Sequence, residues 1–217
     1  MRSARLLVIL FVVPLLVLSS GCANKKWSYV FTSVWASMDD WYCTTTGSHN
    51  LDTAGLCLNG RIISTPVYFT GDTSLKITAD IDITKGSIVS FRFGISDGLF
   101  WTGANDILTE IHYIGDDAME SWLITDDGGT GEEFYPHADP VAGIDYDGIN
   151  TFEFSRTGTK ATFSVNGGVI EEIDLIYFDI NTDGFIPSIS VIGDLGALTI
   201  KRIDVTYSGD ESEEWPF

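Results

Sequence analysis

One segment carries oxygen donors at alternating positions, an arrangement that can bind a hard cation. It reads FDINTDGF, and its predicted ligands are Asp179, Asn181, Asp183 and the main-chain carbonyl of Phe185. The spacing matches the D-x-[DN]-x-[DN]-G pattern of a calcium loop, and Gly184 permits the sharp turn that such a loop needs. The carboxylate expected at the twelfth position is missing, because Ser190 stands there. The segment is therefore either a calcium site that stiffens a loop or a turn between two strands.

A second set of reactive residues is WYCTTTGSHNLDTAGLC, in which Cys43 and Cys57 flank His49. In an exported chain, two cysteines at this separation are most simply paired, and we predict a Cys43–Cys57 disulfide. Closing a loop of about 15 residues would stabilise the protein by roughly 3 kcal/mol in the chain-entropy model. The alternative is a zinc site that includes His49, although no fourth ligand lies nearby.

A third set combines charged and aromatic side chains at every second position of three segments, SIVSFRFGI, ILTEIHYI and MESWLIT. The ligand-binding residues predicted from these segments and a neighbouring loop are Arg92, Glu110, His112, Glu120, Trp122 and Trp101. The predicted rim of the same cleft is Phe100, Trp101, Tyr135 and His137. Aromatic rings stack on the C–H faces of sugars, and charged groups bind their hydroxyls. The alternative is a solvated sheet face on which Arg92 and Glu110 form an ion pair of little net energy.

The elements that would position these residues are strands, because period-two alternation recurs and helical periodicity is nearly absent. In TSLKITADIDI, apolar residues from Leu75 to Ile83 alternate with polar ones. The same pattern predicts that Val89, Phe91, Phe93 and Ile95 point inward, and Gly and Asp turns separate the strands. A phase slip in LTIKRIDVTY predicts a bulge near Lys201 and Arg202. These features predict an all-β fold, a two-sheet antiparallel sandwich.

The order of the segments resembles the concanavalin A-like lectin/glucanase jelly roll over residues 27–208. The segments that carry the resemblance are Trp41 before the strand GLCL, the segment RIISTPVYFTGDTSLKITADIDI, the hairpin NTFEFSRTGTKATFSVNGGVI and the closing ISVIGDLGALTIKRIDVTY. The resemblance implies that an oligosaccharide would bind on the concave sheet. Fold resemblance alone does not choose between binding and catalysis.

Glucanases of the superfamily carry Glu-x-Asp-x-x-Glu on a central strand, at the carboxylate separation of a retaining mechanism. In this chain Glu172 and Asp174 are followed by Tyr177 where the second glutamate would stand. The segment also comes after the Asn-Gly hairpin, whereas the catalytic strand of those enzymes precedes it. We therefore interpret Glu171–Asp174 as an ordinary strand edge. If the chain is an enzyme, Glu110 and Glu120 are the candidate acid and nucleophile.

The N-terminus predicts export. Arg2 and Arg5 precede an apolar run and the ending LSSGC, so residues 1–21 read as a signal peptide. The ending resembles the bacterial lipobox, with Ser19 in place of the usual Leu, and implies lipidation of Cys22. Residues 22–26 would then be the lipidated tether and residues 209–217 an acidic tail. We expect a lipoprotein anchored to a membrane of the bacterial cell envelope.

The chain has 12 basic and 31 acidic side chains, and loss of Arg2 and Arg5 with the signal peptide leaves a formal net charge of −21. A field of this sign makes nucleic acid and anionic surfaces poor partners. Three functions remain open at this point. The first is non-catalytic binding of a carbohydrate or glycan at the envelope, the second is glycoside hydrolysis on the same face, and the third is an envelope scaffold that binds a protein partner.

Overall fold

The fold comes from a computed structural model that describes residues 24–96, 105–115, 118–127, 133–136, 141–175 and 184–213. In stretches 105–107, 112–115, 118–127 and 133–136 the description covers the backbone alone. The described residues contain strands and one short 3₁₀ turn at Ile83–Lys85. No helix among them is long and apolar enough to cross a membrane.

The strands are numbered in chain order. The N-terminal strands are β1 (Lys25–Val30), β2 (Tyr42–Cys43), β3 (Ser48–Asp52), β4 (Gly55–Asn59), β5 (Arg61–Ser64) and β6 (Tyr68–Phe69). The central strands are β7 (Thr73–Asp82), β8 (Ile88–Ser96), β9 (Asn105–Gly115), β10 (Ala118–Asp127) and β11 (Glu133–Pro136). The C-terminal strands are β12 (Asp147–Thr157), β13 (Lys160–Val165), β14 (Gly168–Asp174), β15 (Ile186–Gly193), β16 (Leu198–Tyr207) and β17 (Glu211–Ser212).

These strands form two large antiparallel sheets. The eight-stranded sheet has the order β14-β13-β12-β7-β16-β4-β3, with β1 also paired to β16. The seven-stranded sheet has the order β11-β10-β9-β8-β15-β5-β2. A small third sheet joins β6 to β17, so Glu211 and Ser212, within the predicted acidic tail, pair with the body of the protein. The predicted all-β, two-sheet antiparallel sandwich is confirmed.

The core lies between the two large sheets and is built by the alternation seen in the sequence. Along β7 every second residue is buried, from Thr73 and Leu75 to Ile81. Facing rings from the two sheets interlock at the centre, where Phe91 meets Phe152 with ring centroids 4.7 Å apart. Aromatic pairs at such distances add about 0.5–1.5 kcal/mol to the energy of burial.

Two irregularities set which residues face the core. The pairing of β16 with β7 shifts register between Ile200 and Arg202, which confirms the predicted bulge and lets Ile200 and Ile203 both reach the core. A second shift, between Ile192 and Gly193 where β15 pairs with β8, was not predicted. Because of it Ile88 joins the core and Val89 is 55% exposed, so the inward placement of Val89 was wrong.

The prediction of a Cys43–Cys57 disulfide was wrong, because both cysteines are free thiols in the structure. Cys43 lies in the seven-stranded sheet and packs against the core, whereas Cys57 lies in the eight-stranded sheet. Leu56 and Leu58 take the core-facing positions beside Cys57, so its Sγ atom turns outward and lies 3.4 Å from Oγ1 of Thr199. Packed sheets are about 10 Å apart, beyond the Cα separation that a disulfide spans.

Candidate functional site

The candidate site lies on the face of the seven-stranded sheet that points away from the core, here called the outer face. Its central row is fixed by strand register: Ser190 of β15 lies opposite Arg92, Arg92 opposite Glu110, and Glu110 opposite Trp122. The residues that alternate with this row, such as Phe91 and Ile111, belong to the core. Three neighbouring strands, β8, β9 and β10, therefore place the predicted residues side by side, and β15 adds Ser190.

The remaining strand residues of the predicted set occupy the next row of the same face. His112 of β9 lies opposite Glu120 of β10, two positions along from Glu110 and Trp122. Two-residue spacing returns a strand to the same face, so these positions belong with the central row. The backbone thus brings Arg92, Glu110, His112, Glu120 and Trp122 onto one face, as the alternation predicted.

Arg92 and Glu110 form an ion pair across β8 and β9. Nε of Arg92 donates a hydrogen bond to Oε2 of Glu110 at 2.8 Å, and the two side chains are 19% and 13% exposed. Shielding of this degree distinguishes the pair from an ordinary surface pair, since removing one partner would strand a charge away from water. The cross-strand ion pair that the alternative interpretation predicted is therefore present, and it is more shielded than an exposed surface pair.

Small polar residues surround the pair and are more deeply shielded than it is. On the outer face of β5 and β15, Ser64 and Ser188 are fully or almost fully buried, and their hydroxyls lie 3.0 Å apart. Ser190 is 8% exposed and Ser90 is 4% exposed. Uncharged hydroxyl groups therefore lie beside the charged pair, away from water.

Ser90 has an unusual feature among these serines. Its Oγ is buried and has no hydrogen-bond partner among the described residues. A buried hydroxyl left without a partner costs about 1–3 kcal/mol, and such groups are uncommon in folded proteins. Ser90 therefore offers a donor and an acceptor to a ligand on the outer face, beside the Arg92–Glu110 pair.

Sequence reasoning missed Ser64, Ser188 and Ser190 as parts of this face. A signal was present for two of them, because Ser188 and Ser190 alternate with Ile189 and Val191 in SISVIG. Ser64 follows two isoleucines in RIIS, and only its pairing opposite Ser188 assigns it to the outer face. The pairing of β5 with β15 is a long-range contact, which the residue types do not specify.

Several predicted residues lie outside the described part of the chain. They are residues 1–21 and Cys22 at the N-terminus, Phe100 and Trp101, His137, and Asp179, Asn181 and Asp183. Phe185 is described and fully buried; its carbonyl accepts a hydrogen bond from the Phe69 N–H at 3.0 Å. The described residues hold no group of three or more His, Cys, Asp or Glu side chains suited to a metal ion.

Four further positions from the sequence analysis lie within the described residues. Tyr135 is in strand β11 opposite Leu123, in the row that alternates with Trp122, so its assignment to a loop at the rim was wrong. Glu172 and Asp174 lie on β14, the edge strand of the eight-stranded sheet, as predicted for an ordinary strand edge.

His49, the histidine of the alternative zinc site, contacts Arg61: its Nδ1 atom is 2.5 Å from Nη1 of Arg61. Burial and the neighbouring Arg61 charge lower the pKa of His49.

Neither a protein-family model nor a curated protein sequence matches the chain. Solved structures do match it in fold. The Crh5 transglycosylase in complex with NAG is 13% identical, with a TM-score of 0.55 and 83% of each chain covered. The exoplasmic/lumenal domain of VIP36 in its Ca²⁺/Man3GlcNAc-bound form is 10% identical, with a TM-score of 0.56, and the match covers 79% of this chain and 85% of that one.

A glycoside hydrolase family protein from Mycobacterium thermorestibile is a third structural neighbour. It is 10% identical, with a TM-score of 0.57, and the match covers 82% of this chain and 99% of that one. Lectin and glycosidase domains therefore share the same arrangement of sheets with this protein. At these identities the likeness concerns the fold, and it agrees with the strand order and the two packed sheets described above. The chain has the concanavalin A-like jelly-roll fold.

Proposed function

We propose that the protein binds a carbohydrate or glycan, without cleaving it, on the outer face of the seven-stranded sheet. The observation that carries this proposal is the shielded Arg92–Glu110 pair, in register with Trp122 and near the Ser90 hydroxyl, which has no hydrogen-bond partner in the described part of the chain. Sugar recognition needs an aromatic residue for the C–H face and charged or hydroxyl groups for the sugar hydroxyls. The outer face supplies each of these residue types on adjacent strands.

The shielding of the face favours binding in a further way. Hydrogen bonds to charged groups are about twice as strong as those between neutral groups, and they strengthen where water is excluded. Arg92 and Glu110 already orient each other, so a sugar hydroxyl would meet groups that need little ordering. The structural neighbours support the same ligand class, since among them are structures in complex with NAG and with Man3GlcNAc.

The test is a glycan and polysaccharide array probed with the purified full-length protein, with calcium and with a chelator. The two conditions also test whether FDINTDGF holds calcium that binding requires. We expect a specific hit that Trp122→Ala abolishes. Trp35→Ala is the matched control, because Trp35 is 88% exposed and lies on the turn after β1, away from this sheet. A blank array, or equal losses for both variants, would contradict the proposal and favour a scaffold that binds a protein partner.

Glycoside hydrolysis is the second candidate, and strand register gives it one favourable observation. Glu120 pairs with His112, so it lies diagonally across from Glu110 on the same face. Diagonal neighbours on paired strands have their backbones about 7–8 Å apart, so the two glutamates are close enough to act on one bound sugar. Release of reducing sugar that Glu110→Gln abolishes, with binding retained, would establish this activity and overturn the non-catalytic proposal.

We also propose that the protein is exported and anchored in the cell envelope through acylated Cys22. The sequence of the first 22 residues supports it, and the proposal is independent of the outer face. Expression with a labelled fatty acid should label the wild-type protein and leave Cys22→Ala unlabelled. Labelling of neither protein, together with cleavage elsewhere in the first 30 or so residues, would indicate an ordinary secretory signal.

A further inference from the structure

A second cleft opens at the side of the sandwich, at the β2 edge of the seven-stranded sheet. Its volume is about 440 Å³, within the usual range of small-molecule sites. The residues that line it are Trp27, Tyr29, Ser37, Asp40, Trp41, Tyr42, Pro66, Val67 and Glu213. They come from β1 of one large sheet, from β2 of the other and from the segments beside them. We refer to this site as the edge cleft.

In the edge cleft the ring of Trp41 meets two other rings at steep angles, and those two, Trp27 and Tyr29, are nearly parallel, 6.2 Å apart at 22°. The rings of Tyr29 and Trp41 are 5.1 Å apart at 79°, and those of Trp27 and Trp41 are 6.2 Å apart at 58°. Rings at such angles form the corner of a box. A sugar ring prefers one flat exposed face, whereas a compact cation is stabilised by several ring faces around it.

The walls of the edge cleft are held in place. The hydroxyl of Tyr29 donates to the Ser37 carbonyl at 2.5 Å and accepts from the Ser37 N–H at 2.8 Å, which ties β1 to the opposite wall. Trp41 is only 6% exposed, and its Nε1–H is buried with no hydrogen-bond partner among the described residues. The aromatic walls are therefore fixed before any ligand binds.

The charges of the edge cleft have one sign. Asp40 and Glu213 carry carboxylates and are exposed, and the nine described residues that line the cleft include no Lys or Arg. The whole chain has a formal net charge of −19, which adds to a field that attracts cations. Aromatic walls with carboxylates and no positive side chain are complementary to an organic cation.

We propose that the edge cleft binds an organic cation with an alkylated ammonium group, such as a quaternary ammonium. The cationic head would lie against the rings of Trp27, Tyr29 and Trp41, and Asp40 and Glu213 would neutralise it from the solvent side. Cation–π contacts contribute about 0.5–2 kcal/mol each, depending on how far the cation is desolvated. The proposal does not depend on the glycan proposal, because the two sites share no residue.

The experiment is isothermal titration calorimetry of the purified full-length protein with choline, and with 3,3-dimethyl-1-butanol as the neutral molecule of nearly equal shape. We expect saturable binding of choline that is at least about tenfold tighter than binding of the alcohol. Asp40→Asn should weaken choline binding several-fold, most strongly at low salt. Tyr42→Leu, which removes a 36% exposed ring that lines the cleft, should also weaken choline binding.

Two controls separate this site from general charge effects and from the outer face. Glu172→Gln removes an exposed carboxylate on the far edge of the eight-stranded sheet and should leave choline binding unchanged. Trp122→Ala should abolish glycan binding and leave choline binding intact. Equal binding of choline and the neutral alcohol, no saturable choline binding, or equal losses for Asp40→Asn and Glu172→Gln would each overturn the proposal.

Discussion

The outer faces of the two large sheets have opposite characters. On the eight-stranded sheet, Lys76 of β7 pairs with Glu153 of β12 at 2.5 Å, with the two side chains 43% and 31% exposed. Further pairs on this face join Lys201 to Asp80 and Arg202 to Asp204. On the seven-stranded sheet, the Arg92–Glu110 pair is less than one-fifth exposed and is surrounded by buried serines. Each of these pairs on the eight-stranded sheet has one side chain that is more than one-third exposed, whereas neither side chain of the Arg92–Glu110 pair is, so we call the first face solvated and the second shielded.

The difference shows how the same polar alternation can have two outcomes. Both faces are the polar half of a period-two pattern, so residue type does not separate them. The two faces differ in the exposure of their ion pairs. An exposed ion pair contributes about 0–1 kcal/mol to stability, whereas removing one partner of a shielded pair leaves the other charge away from water and costs more. A face where polar groups are held away from water is the better candidate for ligand recognition.

The largest expected effect comes from breaking the shielded pair. Arg92→Gln should lower the free energy of unfolding by about 2–3 kcal/mol, because the part-buried carboxylate of Glu110 would lose the charge-assisted hydrogen bond from Arg92. Lys76→Gln on the solvated face should change it by about 0.5 kcal/mol or less. Urea denaturation of both variants gives the two values.

A double variant checks the cause of that loss. Arg92→Met combined with Glu110→Leu removes both charges and keeps most of the volume, and it should recover much of the stability lost in Arg92→Gln. Equal losses for Arg92→Gln and Lys76→Gln would remove the distinction between the two faces.

A second effect concerns the inner side of the eight-stranded sheet at Tyr207. Burial, together with hydrogen bonding to Glu211, raises the pKa of Tyr207 to about 12. A folded-state pKa above the unfolded value of about 10 means that this group stabilises the fold below pH 10 and loses its contribution as pH rises towards 12. Tyr207→Phe should therefore show a shallower loss of stability than the wild type over that interval, measured by thermal melts. An identical slope for both proteins would contradict this assignment.

The fold was largely predictable from the sequence because local alternation and turn residues carry most of it. The stretch from Leu75 to Ile81 alternates strictly and is buried strictly at alternate positions. The bulge at Lys201 was also predictable, since the apolar phase slips there. The bulge that exposes Val89 was not, because SIVSFRFGI shows no break in alternation and the extra residue is set by how β8 pairs with β15.

The candidate site was predictable in part, because alternation along each strand assigns its residues to one face. Alternation placed Arg92, Glu110 and Trp122 on one face, and register confirms that they are neighbours. The edge cleft was not predicted at all, because Trp27, Trp41 and Glu213 are far apart in sequence and meet only when β1, β2 and the chain after β17 converge. Sequence patterns within one strand do not report such meetings.

A smaller effect concerns the ion pairs of the solvated face. A double-mutant cycle on Lys76 and Glu153 should give a coupling energy of about 0.2–1 kcal/mol. Because the pair is exposed, the coupling should fall further at high salt. A coupling energy above about 2 kcal/mol that is insensitive to salt would mean that this face is shielded as strongly as the other.

The serines of the outer face should divide into two classes. Ser188→Ala breaks the contact with Ser64 and should cost about 1 kcal/mol of stability, because a buried hydroxyl loses its partner. Ser90→Ala removes a hydroxyl that has no partner among the described residues, so stability should stay within about 0.5 kcal/mol of wild type or rise. If Ser90 contributes to ligand binding, its variant should bind glycan more weakly while remaining fully folded. Stability losses of equal size in both variants would show that Ser90 is satisfied in solution.

The smallest expected effect is that of a reducing agent. Cys43 faces the core from the seven-stranded sheet, and Cys57 faces outward from the eight-stranded sheet beside Thr199, so the packed sheets separate the two thiols. Dithiothreitol should leave the melting temperature unchanged, and thiol labelling of the denatured, non-reduced protein should find both Cys43 and Cys57 free. A melting temperature that falls by several degrees on reduction would require a bridge worth roughly 3 kcal/mol, which can form only if β2 or β4 moves from its sheet. The effect of the reducing agent thus tests whether Cys43 and Cys57 lie in separate sheets, as the structure places them.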